Sequence, residues 1–134
     1  MTNRREFIKT VAVVPPGLFF GRCWAANPDP SRLALIIGNN AYRDAPLANP
    51  VNDARAMARV LGRLGFEVIQ GANLGLEGIG DALGEFESRL HERPDVALLY
   101  YAGHGLQVDA RNYLVPIDVQ ISQKTHLSTR AVLL

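Results

Sequence analysis

The sequence predicts an α/β fold built on a mainly parallel sheet. Three apolar runs end abruptly at turn residues, two stretches with helical spacing separate them, and the order strand, helix, strand, helix, strand requires right-handed crossovers. With 134 residues, about half of them apolar, the chain has material for one globular domain at most.

The first run, "RLALIIGNNAY" from Arg32 to Tyr42, has a continuous apolar centre suited to a strand buried on both faces. Gly38-Asn39-Asn40 ends it. In "NPVNDARAMARVLGRLG", Asn49 is placed to cap a helix, and Pro50 fits its first position, where a missing N–H costs nothing. Val51, Ala54, Met57, Ala58, Leu61 and Leu64 follow the three-four spacing of a buried face. Gly65 can take the left-handed conformation that stops the helix, and "FEVI" begins a second strand expected to be buried.

The second helical pattern runs through Leu76, Ile79, Leu83, Phe86 and Leu90, although Gly78, Gly80 and Gly84 each cost it up to about 1 kcal/mol against alanine. Pro94 closes it, and "DVALLYYA" supplies the third strand. "GLQV" and "NYLVPI", joined by "DAR", read as a hairpin, and "DVQISQKTHLSTRAVLL" begins something further. Three strands with two crossover helices leave a sheet edge uncovered.

Residues 1–26 have a different character. Arg4, Arg5 and Lys9 precede the apolar "VAVVPPGLFFG" and then small residues, the layout of an export signal. The apolar part is too short for the roughly 18 residues of a membrane-spanning helix, so no stable membrane span is expected. "NRREFIK" resembles the twin-arginine export signal, with Asn3 where serine or threonine is commoner. The expected organisation is a signal peptide over 1–26, a linker over 27–31 and a domain from 32 to 134, in a protein that is exported, periplasmic or extracellular.

Cleavage near Ala25 or Ala26 would remove Cys23, the one cysteine, and leave ten basic against twelve acidic residues. Such a balance gives no basic surface for nucleic acid. There is no Gly-x-Gly-x-x-Gly after the first strand, no Walker loop and no cluster with metal-ligand spacing, so neither a cofactor nor a metal is expected.

In open α/β sheets reactive groups collect beyond the carboxyl ends of the strands, and His104 stands there between Gly103 and Gly105. The glycines let backbone approach a substrate, and the Gly105 N–H is a candidate donor to a developing negative charge. On position alone, a satisfied core histidine is as good a reading. His91 falls in the last helical turn and His126 in a polar connection, both simplest as surface residues.

"RLALIIGNNAY", "LANPVNDARAMARVLGRLGFEV" and "DVALLYYAGHGLQVDARNYLVPIDV" resemble the first part of the caspase-like domain of bacterial metacaspases and paracaspases, the clan CD cysteine peptidases of family C14. The three blocks occur in the family's order, from about Arg32 onward. The resemblance implies a three-layer caspase-like sandwich with the first strand central, the second beside it and the third on its other side. It also implies that His104 is the catalytic histidine of a Cys-His dyad and that the Gly105 N–H contributes to an oxyanion hole.

Asp53 then matches an acid lining the first specificity pocket of paracaspase-like members, implying a peptide or protein substrate cleaved after Arg or Lys. The plain reading of Asp53 is an acid in a first helical turn, offsetting the dipole; Asn52 and Asp44 are alternative pocket residues nearby. Ala102 stands where some metacaspases have serine.

One departure matters. The family's nucleophile follows the histidine by roughly 50 residues, near about position 154, whereas this sequence runs to Leu134. Cys23 lies in the expected leader, and a histidine without its thiolate has nothing to assist. The expectation is therefore the N-terminal part of a cysteine endopeptidase, inactive alone, whose partner is a further C-terminal segment carrying the cysteine. The alternative is a non-catalytic caspase-like domain, or another small α/β binding or regulatory module.

Overall fold

The computed structural model describes residues 8–14, 31–119 and 131–133. Residues 15–30, with Cys23, the expected cleavage site and most of the expected linker, lie outside the described residues, as does His126. Strand β1 spans Ile8–Val14, β2 Arg32–Gly38, β3 Phe66–Ala72 and β4 Val96–Ala102; helix α1 spans Pro50–Arg63 and α2 Leu76–Leu90. Three short strands, β5 (Gly105–Val108), β6 (Arg111–Leu114) and β7 (Val132–Leu133), form a separate antiparallel sheet in that order.

The parallel core of the main sheet is β4-β2-β3, with the first run of the sequence central, as the resemblance implies. Alternation along the strands sends successive side chains to opposite faces. Leu33, Leu35, Ile37, Leu99 and Tyr101 pack with Phe86 and, around it, Leu83 and Leu90 of α2. Ala34, Ile36, Tyr100 and Ala102 pack with Ala54 and Leu61 of α1, with Met57 and Ala58 around them. The sandwich thus has three layers, and both faces of β2 and β4 are enclosed.

Several local expectations need correcting. Among the described residues strand β3 borders only β2, and its Glu67, Gln70 and Ala72 are exposed, so it is a charged edge rather than a fully buried strand. Arg89 of α2 forms an ion pair with Glu67 across that edge. Asn49 is the N-cap of α1 by position but its side chain makes no capping hydrogen bond; Pro50 supplies the start signal alone. Leu64, placed by its spacing on the buried face, is 53% exposed because α1 ends at Arg63 and Leu64 is its C-cap.

Gly65 has φ +79, the left-handed stop expected of it. The hairpin turns on Asp109 and Ala110, both at positive φ, and Arg111 already belongs to β6. Helix α2 lacks a side-chain cap of its own at Gly75. Instead the Leu76 N–H donates to Asp118 Oδ1 at 3.0 Å, from the chain after the hairpin. His91 ends α2, with Nδ1 2.9 Å from the Glu87 carbonyl, as its position in the last turn suggested.

The free edge of β4 is also occupied. Strand β1 runs antiparallel along it from Ile8↔Ala102 to Val14↔Ala97, with one irregularity between Ile8 and Thr10. The sequence places these residues within an export leader.

Candidate active site

The site is assembled where β2 and β4 end side by side, since Gly38 and Ala102 are register partners. Beyond Gly38 the chain would be a loose loop but for two asparagines. Asn39, fully buried, accepts from the Leu74 N–H at 2.8 Å and donates to the Leu74 carbonyl at 3.1 Å, while its own N–H donates to Ala102 O at 2.8 Å. Asn73, after β3, accepts from the N–H groups of Asn40 and Ala41 at 2.9 and 3.0 Å. All three strand ends are thereby stitched together, and the following residues, Tyr42 and Ala45, are delivered to His104.

His104 is half-buried, and its Nε2 lies 2.7 Å from the carbonyl of Ala45. A carbonyl only accepts, so Nε2 carries the hydrogen and, in the neutral ring, Nδ1 is the basic nitrogen. The Tyr42 ring lies 4.4 Å from the imidazole, tilted by 56°. A histidine with one nitrogen committed to a backbone carbonyl and the other basic is oriented to exchange a proton with a group approaching Nδ1.

The backbone of His104 is held as firmly as its ring. Its N–H donates to the Tyr42 hydroxyl at 2.9 Å, and its carbonyl accepts from the Val115 N–H at 3.1 Å. Tyr101, buried on β4, reaches both the His104 and Val115 carbonyls with its hydroxyl, at 3.1 and 2.9 Å, and lies 3.0 Å from the Tyr42 hydroxyl. Burial pushes both phenols above the ordinary tyrosine range, and for Tyr101 the neighbouring Tyr42 adds to the effect. Both therefore keep their hydroxyl protons.

This pair also explains the glycine before the histidine. A Cβ on Gly103 would stand 2.6 Å from each hydroxyl, inside van der Waals contact. Gly103 is there to admit the tyrosines.

The second glycine has a different use. Gly105 opposes Leu114 in the hairpin, and Val108 opposes Arg111 across the two-residue turn. A two-residue turn is closed by a hydrogen-bonded pair, and hydrogen-bonded and non-hydrogen-bonded pairs then alternate up the ladder. Gly105 falls at a non-hydrogen-bonded pair, so its N–H points away from β6, along the outer edge of β5.

Asp53 lies in the first turn of α1 and is exposed. A Cβ on Gly38 would collide with Pro50, Val51 and Ala54, which shows how closely the start of α1 abuts the end of β2. Asp53 and His104 thus stand at the same end of the sheet. The Asp53 charge also reaches Tyr100, whose phenol is raised mainly by burial and further by that carboxylate. Asn52 and Asp44 are exposed, and Ala102 is buried against α1 rather than presented to solvent.

His104, Gly105 and Asp53 are the residues the sequence singles out, and the structure adds Tyr42, Tyr101, Ala45, Asn39 and Asn73 around His104. The signal for them is "GNNAY", a polar continuation of a buried strand, which on sequence alone reads only as the end of that strand. Among the described residues, no group of three His, Cys, Asp or Glu side chains could hold a metal ion, and no helix is long and apolar enough to cross a membrane.

The human mucosa-associated lymphoid tissue lymphoma translocation protein 1 is 35% identical over 88 residues, covering 65% of this chain and 11% of the human protein. The mouse homolog is 34% identical over 88 residues, 65% of this chain and 10% of the mouse protein. This chain therefore spans about a tenth of the length of these relatives. The model of the caspase domain, peptidase family C14, matches residues 31–132, and the chain belongs to that family.

Proposed function

We propose that this chain is the histidine-bearing part of a cysteine-type endopeptidase that cleaves after Arg or Lys. The observation that carries the reading is the His104 Nε2 contact with the Ala45 carbonyl, which leaves Nδ1 basic at the mouth of the sheet. In the intact enzyme a cysteine thiolate attacks the scissile carbonyl, forming a carbon–sulfur bond. The carbonyl oxygen takes up the negative charge, and the outward N–H of Gly105 is a donor for it. His104 hands a proton to the departing amine, and water then releases the acyl group from sulfur. Asp53 offers a carboxylate to a basic side chain before the scissile bond.

The 134 residues contain one cysteine, Cys23, within the expected leader. No other residue offers a thiolate, so these residues alone hydrolyse no peptide. The Arg4-Arg5 start supports export through the twin-arginine route as part of the same proposal.

The test uses a chain continued through an acid-x-Cys strand about 50 residues past His104. Short fluorogenic peptides with Arg, Lys or Asp before the scissile bond should be cleaved after Arg and Lys, with activity lost in His104→Ala and KM raised in Asp53→Asn. Equal cleavage after Asp, or full activity in His104→Ala, rejects the reading.

A further inference from the structure

We infer that Tyr42 is a positioning residue for His104, its hydroxyl acting as a wedge in the hairpin ladder with Tyr101 as its support. The inference rests on His104 being the proton-handling residue proposed above.

Continuing the β5-β6 register from Gly105↔Leu114 brings His104 opposite Val115, at a hydrogen-bonding position. Such a pair ordinarily exchanges two backbone bonds. One of them is made, from the Val115 N–H to the His104 carbonyl at 3.1 Å. The other is replaced: the His104 N–H donates to the Tyr42 hydroxyl at 2.9 Å, and that hydroxyl reaches the Val115 carbonyl at 3.1 Å. A phenol oxygen has been inserted between the donor and acceptor of a ladder bond.

The insertion holds the His104 amide away from Val115 by the width of a hydroxyl, at the residue whose ring must meet the Ala45 carbonyl. Two phenol protons serve three neighbouring acceptors, namely the Val115 carbonyl, the His104 carbonyl and the other phenol oxygen. Removing either hydroxyl therefore changes the bonding of both. Without the Tyr42 hydroxyl the ladder is free to close directly, drawing His104 toward Val115 and its ring away from Ala45. The Tyr42 ring contact survives in phenylalanine, so Tyr42→Phe isolates the hydroxyl.

The experiment is nitrogen-15 NMR of the imidazole in the full 134-residue chain at a pH where the ring is neutral. Wild type should show one dominant tautomer, protonated at Nε2. In Tyr42→Phe the ratio of Nε2–H to Nδ1–H forms should fall by about fivefold, the scale of losing one net hydrogen bond. Tyr101→Phe should show a smaller fall, and Tyr100→Phe, on the opposite face of β4, none. Spectra taken well below each variant's thermal transition separate positioning from unfolding.

An ordered wild-type tautomer that persists unchanged in Tyr42→Phe overturns the wedge and leaves the peptidase reading standing. Mixed tautomers in folded wild type overturn both. Recovery of the cleaving activity of the continued chain cannot mimic these outcomes, because the readout is made on the ring itself.

Discussion

Tyr42 and His104 meet twice: the His104 N–H donates to the Tyr42 hydroxyl at 2.9 Å, and the two rings lie 4.4 Å apart. A side chain from the loop after β2 thus fixes both the backbone and the ring of a residue beyond the end of β4.

Gly103→Ala should destabilise the domain by about 1–3 kcal/mol, the usual cost of forcing atoms into a packed site, because its Cβ would overlap the hydroxyls of Tyr42 and Tyr101. Gly84→Ala should act in the opposite direction. Nothing lies within 4 Å of a Cβ there, and alanine in a helix interior is favoured over glycine by up to about 1 kcal/mol. Urea unfolding of the two variants checks the sign of each.

Asn39→Ala should cost about 1–3 kcal/mol, since it strands the half-buried Leu74 N–H that the fully buried Asn39 Oδ1 now satisfies. The loop carrying Tyr42 and Ala45 should loosen with it. Amide exchange across residues 39–45 measures that loosening; unchanged exchange would show that Asn73 alone holds the loop.

How much of this was legible in the sequence follows from the range of the interactions. Apolar runs and helical spacing depend on neighbours a few residues away, so β2, α1, α2 and β4 could be read directly, and Gly65 announced its own turn. Burial of β3 could not be read, because whether "FEVI" is an edge is decided by which strands lie beside it. His104 was legible as a polar stop to an apolar strand. Its supports were not: Tyr42 and Tyr101 look like ordinary apolar-run aromatics, and only the parallel pairing of β2 with β4 brings 42 next to 104. The capping of α2 by Asp118 is likewise invisible until the hairpin returns the chain to Gly75.

Alkaline solution should weaken the fold. Burial raises Tyr42, Tyr100 and Tyr101 above the roughly 10 of an unfolded chain, so above that pH the unfolded state binds fewer protons than the folded one and stability falls as pH rises. Below about pH 10 both states are protonated and these groups contribute no slope. Thermal midpoints measured between about pH 8 and pH 12 should drop in the upper half of the range, and less so in Tyr101→Phe.

Strand β1 should protect β4. In an antiparallel pair the amides of β4 that face β1 are shielded, so a chain lacking residues 1–26 should exchange those amides faster while the β2 amides keep their protection. Identical β4 exchange with and without the segment would show that the pairing contributes nothing in solution.

In the proposed function His104 serves a cysteine thiolate that these 134 residues do not themselves bring to it. Hydrolysis of fluorogenic peptides with Arg, Lys or Asp before the scissile bond by the purified 134-residue chain tests it most directly. No turnover above buffer is expected with any of the three; cleavage that disappears in His104→Ala would contradict the proposed function.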